Sequence, residues 1–171
     1  MSIEPPRYIY EDYRHWQGDW ELIDGYPFAM APSPYGKHQK LMGRLLHLFS
    51  GELEECACEI YPELDWIINE SNVVRPDLAI YCEDIEKYPT TTPKIIIEIV
   101  SSSTAQKDET IKFKLYEQEG VEYYVLVYPE LKKVRIFRLM DGKYKKVYEG
   151  KDRFCFDLCD IEVDFAKVWK K

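Results

Sequence analysis

The sequence predicts a single α/β domain in which one mixed β-sheet lies between helices. Three observations predict this class: a long amphipathic segment in the first third of the chain, the apolar run "IIIEIV" at residues 95–100, and a second helical segment followed by more strand patterns. The 171 residues, 46% of them hydrophobic, are enough to bury one core. We therefore expect residues 1–171 to form one domain.

The first third of the chain predicts a helix, a hairpin and a longer helix. Residues 8–17 carry a weak helical pattern, and the two short strands of "WELIDGYPFAM" meet at Asp24-Gly25, a dipeptide suited to a tight hairpin turn. Residues 35–55 then repeat apolar side chains at helical spacing, which predicts the first core helix. The apolar positions of this helix are Leu41, Met42, Leu45, Leu46, Leu48, Phe49 and Leu53.

The rest of the chain predicts three strands, a helix and three further strands. The strand candidates are residues 59–68, 73–82, 94–100, 122–128, 133–139 and 143–148. Residues 94–100 are apolar on both faces, as in a central strand that is covered on each side. Ser103 with Gln106 resembles a capping box and Gly120 ends the pattern, so the intervening helix should span residues 104–119. A turn is expected at Asp141-Gly142.

Composition excludes several classes of protein. No apolar run approaches the roughly 18 residues needed to cross a bilayer, and the first residues are too polar and acidic for a secretory signal, which indicates a cytoplasmic protein without a membrane partner. The five cysteines are odd in number and lack the CxxC spacing. We interpret them as free, buried thiols, which favours neither a disulfide framework nor a zinc cluster.

The charge distribution bears on nucleic-acid binding. A formal net charge of -8 argues against a protein that binds nucleic acid over its whole surface, because phosphate neutralisation needs clustered Lys and Arg. Residues 132–146, "KKVRIFRLMDGKYKK", nevertheless form a basic strip in the sequence. Lys145 and Lys146 are its candidates for phosphate contacts. The alternative is a solvated hairpin whose edges are guarded by lysines.

Two acids lie in neighbouring predicted strands. Pro76 lacks an amide proton, fits a strand start and places a bend before Asp77. The pleat of the next strand puts Glu98 on the face opposite Ile97 and Ile99. If the strands pair, Asp77 and Glu98 converge, and a hard cation such as Mg²⁺ or Mn²⁺ would relieve their repulsion. The alternative is an edge aspartate and a glutamate paired with a lysine.

The helix that follows offers a cation. Asp108, Lys112 and Tyr116 are four residues apart, so they line one helix face beside the Ile111 and Leu115 stripe that should face the sheet. Lys112 could therefore reach the two acids and orient a water or offset charge on a phosphate. The alternative is an ordinary exposed Asp108–Lys112 pair. As an exposed helical residue, Lys112 should be replaceable without much loss of stability.

The combination of motifs resembles a known family. "WELIDG", a histidine before the core helix, "RPDLAIY", "IIIEIVSSST", the Asp108–Lys112–Tyr116 spacing and "GVEYYVLVYPE" occur in order over nearly the whole chain. This order is similar to the Uma2 family (DUF820) of the PD-(D/E)XK nuclease superfamily. The resemblance implies a restriction endonuclease-like core, α-β-β-β-α-β, preceded here by the N-terminal helix and β-hairpin.

The resemblance also implies roles for individual residues. Asp77 matches the aspartate of the PD motif and Glu98 the acid of the (D/E)XK motif. Val100 stands where the superfamily lysine normally lies, and Lys112 matches the position to which similar families have moved it. Ser102, Tyr124 and Tyr128 depart from the residues usual in the family at packing or turn positions.

Two further residues match recurrent family positions. Glu21 would be a further metal ligand or would support one, its alternative being a hairpin glutamate that faces solvent. His38 would contact a phosphate, its alternative being a packing residue at the start of a helix.

The sequence thus predicts an endonuclease dependent on Mg²⁺ or Mn²⁺ that hydrolyses phosphodiester bonds in DNA. Asp77 and Glu98, with the carbonyl of Ile99, would hold the metal. A homodimer is expected because cleavage of two strands needs two sites. The main alternative is a catalytically degenerate relative that binds nucleic acid or a protein. A glycosidase-like pair of acids is disfavoured by the absence of an aromatic sugar platform near the two acids.

Overall fold

The computed structural model describes residues 4–30 and 36–170. The helices are α1 (Tyr10–Tyr13), α2 (Gly36–Glu52), a π-helical turn (Lys107–Ile111) continued by α3 (Lys112–Gln118), and α4 (Ala166–Trp169). The strands are β1 (Trp20–Ile23), β2 (Tyr26–Ala29), β3 (Glu59–Pro62), β4 (Trp66–Asn69), β5 (Asn72–Val74), β6 (Leu78–Tyr81), β7 (Ile95–Ile99), β8 (Tyr123–Tyr128), β9 (Lys133–Met140), β10 (Lys143–Gly150), β11 (Arg153–Cys155) and β12 (Glu162–Asp164).

The central sheet is mixed, as the sequence predicts. Its six strands follow the order β10-β9-β8-β7-β6-β3, in which β7 and β8 are parallel and the other neighbours antiparallel. The π-helical turn and α3 form the crossover that a parallel pair requires. A second, antiparallel sheet has the order β2-β1-β5-β4, and β11 pairs with β12.

The central strand β7 divides the core into two parts. Ile95, Ile97 and Ile99 are buried with α2, α4 and the β11–β12 hairpin. Ile96 lies on the opposite face, with apolar side chains of α3 and of the small sheet. The pleat predicted from the sequence is therefore correct, and Glu98 shares the face that α3 and the small sheet cover.

Two predicted strands are each divided between the two sheets. Residues 59–68 cover β3 and most of β4, and residues 73–82 cover most of β5 and all of β6. The first break includes Glu63, whose φ of 48° is incompatible with an extended strand. At the second break the segment Arg75-Pro76-Asp77 carries the chain from the small sheet into the central one. Asp77 consequently lies where the two sheets meet.

The turns and helices agree with the sequence to different degrees. Asp24 and Gly25 have φ of 52° and 78° in the hairpin turn, and Asp141 and Gly142 have 51° and 76°. A side chain at residue 25 would also meet the Tyr8 carbonyl at 3.2 Å. The helix predicted at 8–17 covers four residues, and the first residue of the one predicted at 35–55 lies outside the described residues. The sequence did not predict β11, β12 or α4.

The cysteines differ from the sequence interpretation. Cys56 is bonded to Cys159 and Cys58 to Cys82, while Cys155 is free and exposed. The interpretation as five free thiols is therefore wrong for four of them. Pairing of β3 with β6 sets Glu59 opposite Tyr81, so the adjacent cysteines also lie opposite each other, a relation that sequence spacing does not reveal.

Within residues 4–30 and 36–170, no helix combines the length and apolar character that a membrane crossing demands.

Candidate functional site

Asp77 and Glu98 lie side by side where β6 begins and β7 ends, and backbone amides donate hydrogen bonds to both carboxylates. The Asp77 amide donates to Oε2 of Glu98 at 3.2 Å, and the Ile99 amide donates to Oδ2 of Asp77 at 2.7 Å. Glu98 is 3% exposed, whereas Asp77 is partly accessible. The antiparallel register of β6 and β7 thus brings the two predicted acids together at the junction of the sheets.

Lys112 lies against these acids and is itself buried. Its Nζ is 2.8 Å from Oε1 of Glu98 and 2.7 Å from Oε1 of Glu21, and its residue is 2% exposed. The hydroxyl of Tyr116 donates to the same Glu98 oxygen at 3.1 Å. The expectation of an exposed helical lysine is therefore wrong, because one ammonium bridges two buried carboxyl groups.

The π-helical turn explains why the helix phase differs from the prediction. The Lys112 amide bonds to the carbonyl of Lys107, five residues back, so the face of the helix shifts relative to a regular α-helix. Asp108, Lys112 and Tyr116 are buried, while Ile111 is 37% exposed. The predicted stripe facing the sheet is therefore wrong at Ile111, since the polar residues occupy that face.

The same turn adds a lysine that the sequence reasoning missed. Lys107 places its Nζ 2.7 Å from Oε2 of Glu21. In an α-helix, residues five apart point in different directions, but i to i+5 bonding lets Lys107 and Lys112 reach one carboxylate. No signal in the sequence marked this π-helical turn in advance.

Glu21 is fully buried in β1, so its interpretation as a solvent-facing hairpin residue is wrong. Oε1 accepts from the Arg75 amide at 2.9 Å and from Lys112, and Oε2 accepts from Lys107. The two ammonium groups outweigh burial, which alone would raise its pKa, and they hold the pKa of Glu21 below its usual value. Glu21 is therefore the ionised partner of the lysines.

His38 lies beside Asp77 near the start of α2. Its Nε2 is 3.3 Å from Oδ2 of Asp77, and this hydrogen bond raises the pKa of the imidazole despite partial burial. Nδ1 of His38 is buried and has no hydrogen-bond partner among the described residues. Oδ1 of Asp77 also lacks a protein donor within the described ranges. The groups that the protein leaves unused here are therefore a carboxylate oxygen of Asp77 and a ring nitrogen of His38.

Acids outnumber lysines at the site. The acids are Glu21, Asp77, Glu98 and Asp108, and the lysines are Lys107 and Lys112. Burial, which the Lys112 ammonium offsets only in part, raises the pKa of Glu98 to about 8, with further increases from neighbouring carboxylates. Burial likewise raises the pKa of Asp108. The single charge of Lys112 is therefore matched by Glu21, and Glu98 is the acid that retains its proton.

The protonation of Glu98 predicts an unusual pH dependence in metal-free protein. Because its pKa rises from 4.5 when unfolded to about 8 when folded, the folded state binds more protons between these values. The free energy of unfolding should therefore fall as pH rises through this window, by up to about 1.4 kcal/mol per pH unit. Urea titrations in a chelator would measure the slope, and Glu98→Gln should flatten it. An equal slope in that variant would assign the effect to other groups.

The basic strip is largely neutralised within its own surface. Glu149 pairs with Lys133 at 2.8 Å, Arg135 at 3.0 Å and Lys146 at 2.8 Å. Hydrogen bonds from Lys133 and, next in size, from Lys146 lower the pKa of Glu149 to about 2. Lys145 is exposed and forms no ion pair in the part of the chain that the structure describes. The strip lies on β9 and β10. β10 is the third strand from β7, so the two strands are about 14 Å apart across the sheet.

Comparisons with other proteins agree with this architecture. The chain is 28% identical over 173 residues to "Uncharacterized protein slr1290" of Synechocystis sp., covering 94% of this chain and 90% of that protein. A crystal structure described as "a putative nuclease belonging to DUF820" from Anabaena variabilis matches with a TM-score of 0.78 and 15% identity, over 96% of this chain and 98% of the other. This likeness shows the same fold.

The family follows from the sequence match. The Uma2 family, described as "Putative restriction endonuclease", matches residues 10–153, a range that contains β1, the core helix α2, both acids and the π-helical turn. The chain therefore belongs to the Uma2 family.

Proposed function

We propose that this protein is a metal-dependent endonuclease that hydrolyses phosphodiester bonds in DNA. The observation that carries the proposal is the contact of Asp77, Glu98 and Lys112 where the two sheets meet. The descriptions of the family and of the Anabaena variabilis protein support a nuclease. The choice of DNA and of a metal is our inference from the chemistry of the site.

The donor atoms of the site fit a hard divalent cation. Such cations take carboxylate and carbonyl oxygens, and Oδ1 of Asp77 has no competing protein donor among the described residues. Oε1 of Glu98 already accepts from Lys112 and Tyr116, whereas Oε2 accepts only from the Asp77 amide and keeps a second lone pair for a cation. We assign Asp77, Glu98 and the carbonyl of Ile99 to the metal. When bound, Mg²⁺ or Mn²⁺ would polarise the phosphate and acidify a water.

In this proposal Glu21 supports the metal site and does not bind the metal, which is the second of the two roles that the resemblance implied. Both of its oxygens are used by ammonium groups and by the Arg75 amide. A carboxylate so engaged anchors Lys107 and Lys112 beside Glu98, and we infer that it positions Lys112. This positioning leaves Asp77 and Glu98 as the acids available to a cation.

Lys112 and His38 supply the remaining chemistry. The Lys112 ammonium has three N–H donors. Two of them hydrogen-bond to Glu21 and Glu98, so the third remains for a water or a phosphate oxygen. In a site shielded from water it would offset the charge that develops on the phosphate. His38, on the open side of Asp77, could donate to a second phosphate oxygen.

The proposal is tested by the cleavage of supercoiled plasmid. Purified protein should nick the plasmid in the presence of Mg²⁺ or Mn²⁺, and a chelator should abolish nicking. Linear product would indicate coordinated cleavage of both strands, as expected of a homodimer. Single-stranded DNA and RNA of the same sequence would establish which nucleic acid is preferred. Binding without cleavage under all metals would instead support a degenerate nuclease fold kept for binding.

A further inference from the structure

We propose that Cys56, Cys58, Cys82 and Cys159 form a structural zinc site when their thiols are reduced. The four cysteines come from three separate segments that meet at the outer edge of the central sheet. Cys56 and Cys58 lie between α2 and β3, the edge strand of the sheet, and Cys82 follows β6, its neighbour. Cys159 lies in the loop between β11 and β12. This site is separate from the acidic cluster and independent of the proposed nuclease activity.

The separation of the sulphurs suits a tetrahedral zinc ion. The Sγ atoms of Cys56, Cys58 and Cys159 all lie within 4.8 Å of one another. Four thiolates at a zinc–sulphur distance of about 2.3 Å lie about 3.8 Å apart, so small rotations of these side chains would complete three corners of the tetrahedron.

Cys82 supplies the fourth corner. It lies opposite Cys58 one residue beyond the end of the antiparallel pair of β3 and β6, and the two Cα atoms are 3.9 Å apart. Once this bridge is reduced, rotation about the two Cα–Cβ bonds can separate the sulphurs to the spacing of about 3.8 Å that zinc requires. The Cα atoms of most disulfides are at least about 4.4 Å apart, and the Cα atoms of Cys58 and Cys82 are closer than this usual range.

The chemistry of the cluster favours zinc among divalent ions. Four sulphur ligands without a carboxylate or an imidazole select Zn²⁺ over Mg²⁺, Ca²⁺ or Mn²⁺. Cys58 is 4% exposed and belongs to the apolar core beneath the sheet, while Cys82 and Cys159 reach the surface, where an ion can enter. Bound zinc would tie the C-terminal hairpin to the edge of the sheet.

The disulfide-bonded and zinc-bound forms are linked by a balanced reaction. A thiol reductant supplies two electrons and two protons to each disulfide, which yields four thiols in all and oxidises two equivalents of a dithiol. Binding of Zn²⁺ by four thiolates then releases these four protons. The structure shows the oxidised, bridged form, and the proposal concerns the reduced form.

The experiment uses the full chain, reduced with a phosphine and freed of metal. One Zn²⁺ per chain should bind, and a thiol-reactive dye that labels the accessible cysteines of the metal-free, reduced protein should then label only Cys155. Co²⁺ in place of zinc should give the thiolate-to-metal absorption of a tetrahedral sulphur site. The wild-type readouts remain valid even where a cysteine variant fails to fold.

Matched variants separate this site from others. Cys155→Ser should keep the zinc, because Cys155 is exposed and outside the cluster, whereas Cys58→Ser or Cys159→Ser should weaken binding at least about tenfold. Glu98→Gln should leave this zinc in place. The proposal is overturned if folded, reduced wild type binds no zinc, if the accessible cysteines of the cluster stay reactive with zinc present, if the disulfides persist under the reductant, or if Glu98→Gln removes the zinc.

Discussion

Lys112→Ala should lower the free energy of unfolding by about 3–5 kcal/mol, the cost of breaking a buried ion pair by removing one partner. The ammonium of Lys112 lies 2.7 Å from Glu21 and 2.8 Å from Glu98, and all three residues are at most 3% exposed. Without it, Glu98 loses its only cationic partner among the described residues, and Glu21 keeps only Lys107. Urea unfolding in a chelator would measure the loss.

The matched control for this prediction is Lys114→Ala, which removes an exposed lysine from the same helix. Its effect should stay within about 0.5 kcal/mol, as for surface substitutions elsewhere. Adding Glu21→Gln to Lys112→Ala should recover part of the loss, because Glu21 is the ionised acid and an amide can be buried without a counter-charge. Equal stabilities of Lys112→Ala and Lys114→Ala would contradict the buried network.

The position of Glu98 could be predicted because it depends on a short-range regularity. Alternation along β7 follows from the strand pleat, and a strand apolar on both faces must be covered on both. Asp77 was placed beside it because strands close in sequence commonly pair. The class of fold, its central strand and the convergence of these two acids thus follow from local pattern and simple topology.

The burial of Lys112 could not be predicted because helical phase was assumed to be regular. The π-helical turn at Lys107–Ile111 shifts the face by one residue, which exposes Ile111 and turns Asp108 and Lys112 inward. An amphipathic pattern counts apolar residues, so it assigns a buried lysine to the solvent side. Only the carboxylates of other strands make that burial tolerable, and they are remote in sequence.

The second sheet and the burial of Glu21 were missed for a related reason. Breaks at Glu63 and at Pro76 divide two predicted strands between the two sheets, and a strand pattern looks the same whether the chain stays in one sheet or crosses to another. Glu21 lies in the small sheet, so its burial depends on how that sheet packs against α3. Such packing between elements distant in sequence leaves no periodic signal.

Asp77→Asn and Glu98→Gln should each lower metal-dependent plasmid cleavage at least about 100-fold, while folded protein is still obtained. Both replacements remove a negative oxygen donor from the proposed metal site, and hard cations bind neutral amides more weakly. Neither change creates a cavity, because the new side chains have nearly the same shape. Cleavage would be followed by the conversion of supercoiled to nicked plasmid at several Mg²⁺ and Mn²⁺ concentrations.

The melting temperature separates loss of the metal from loss of the fold. Wild type should melt at a higher temperature with Mg²⁺ than with a chelator, because a ligand of the folded state stabilises it, and both variants should lose this shift. In the chelator, Glu98→Gln should melt above wild type, since it removes a buried acid whose charged form is disfavoured. Lys114→Ala, an exposed change on α3, should keep both the shift and the cleavage. Retention of cleavage by Asp77→Asn and by Glu98→Gln would place the reacting site elsewhere in the chain.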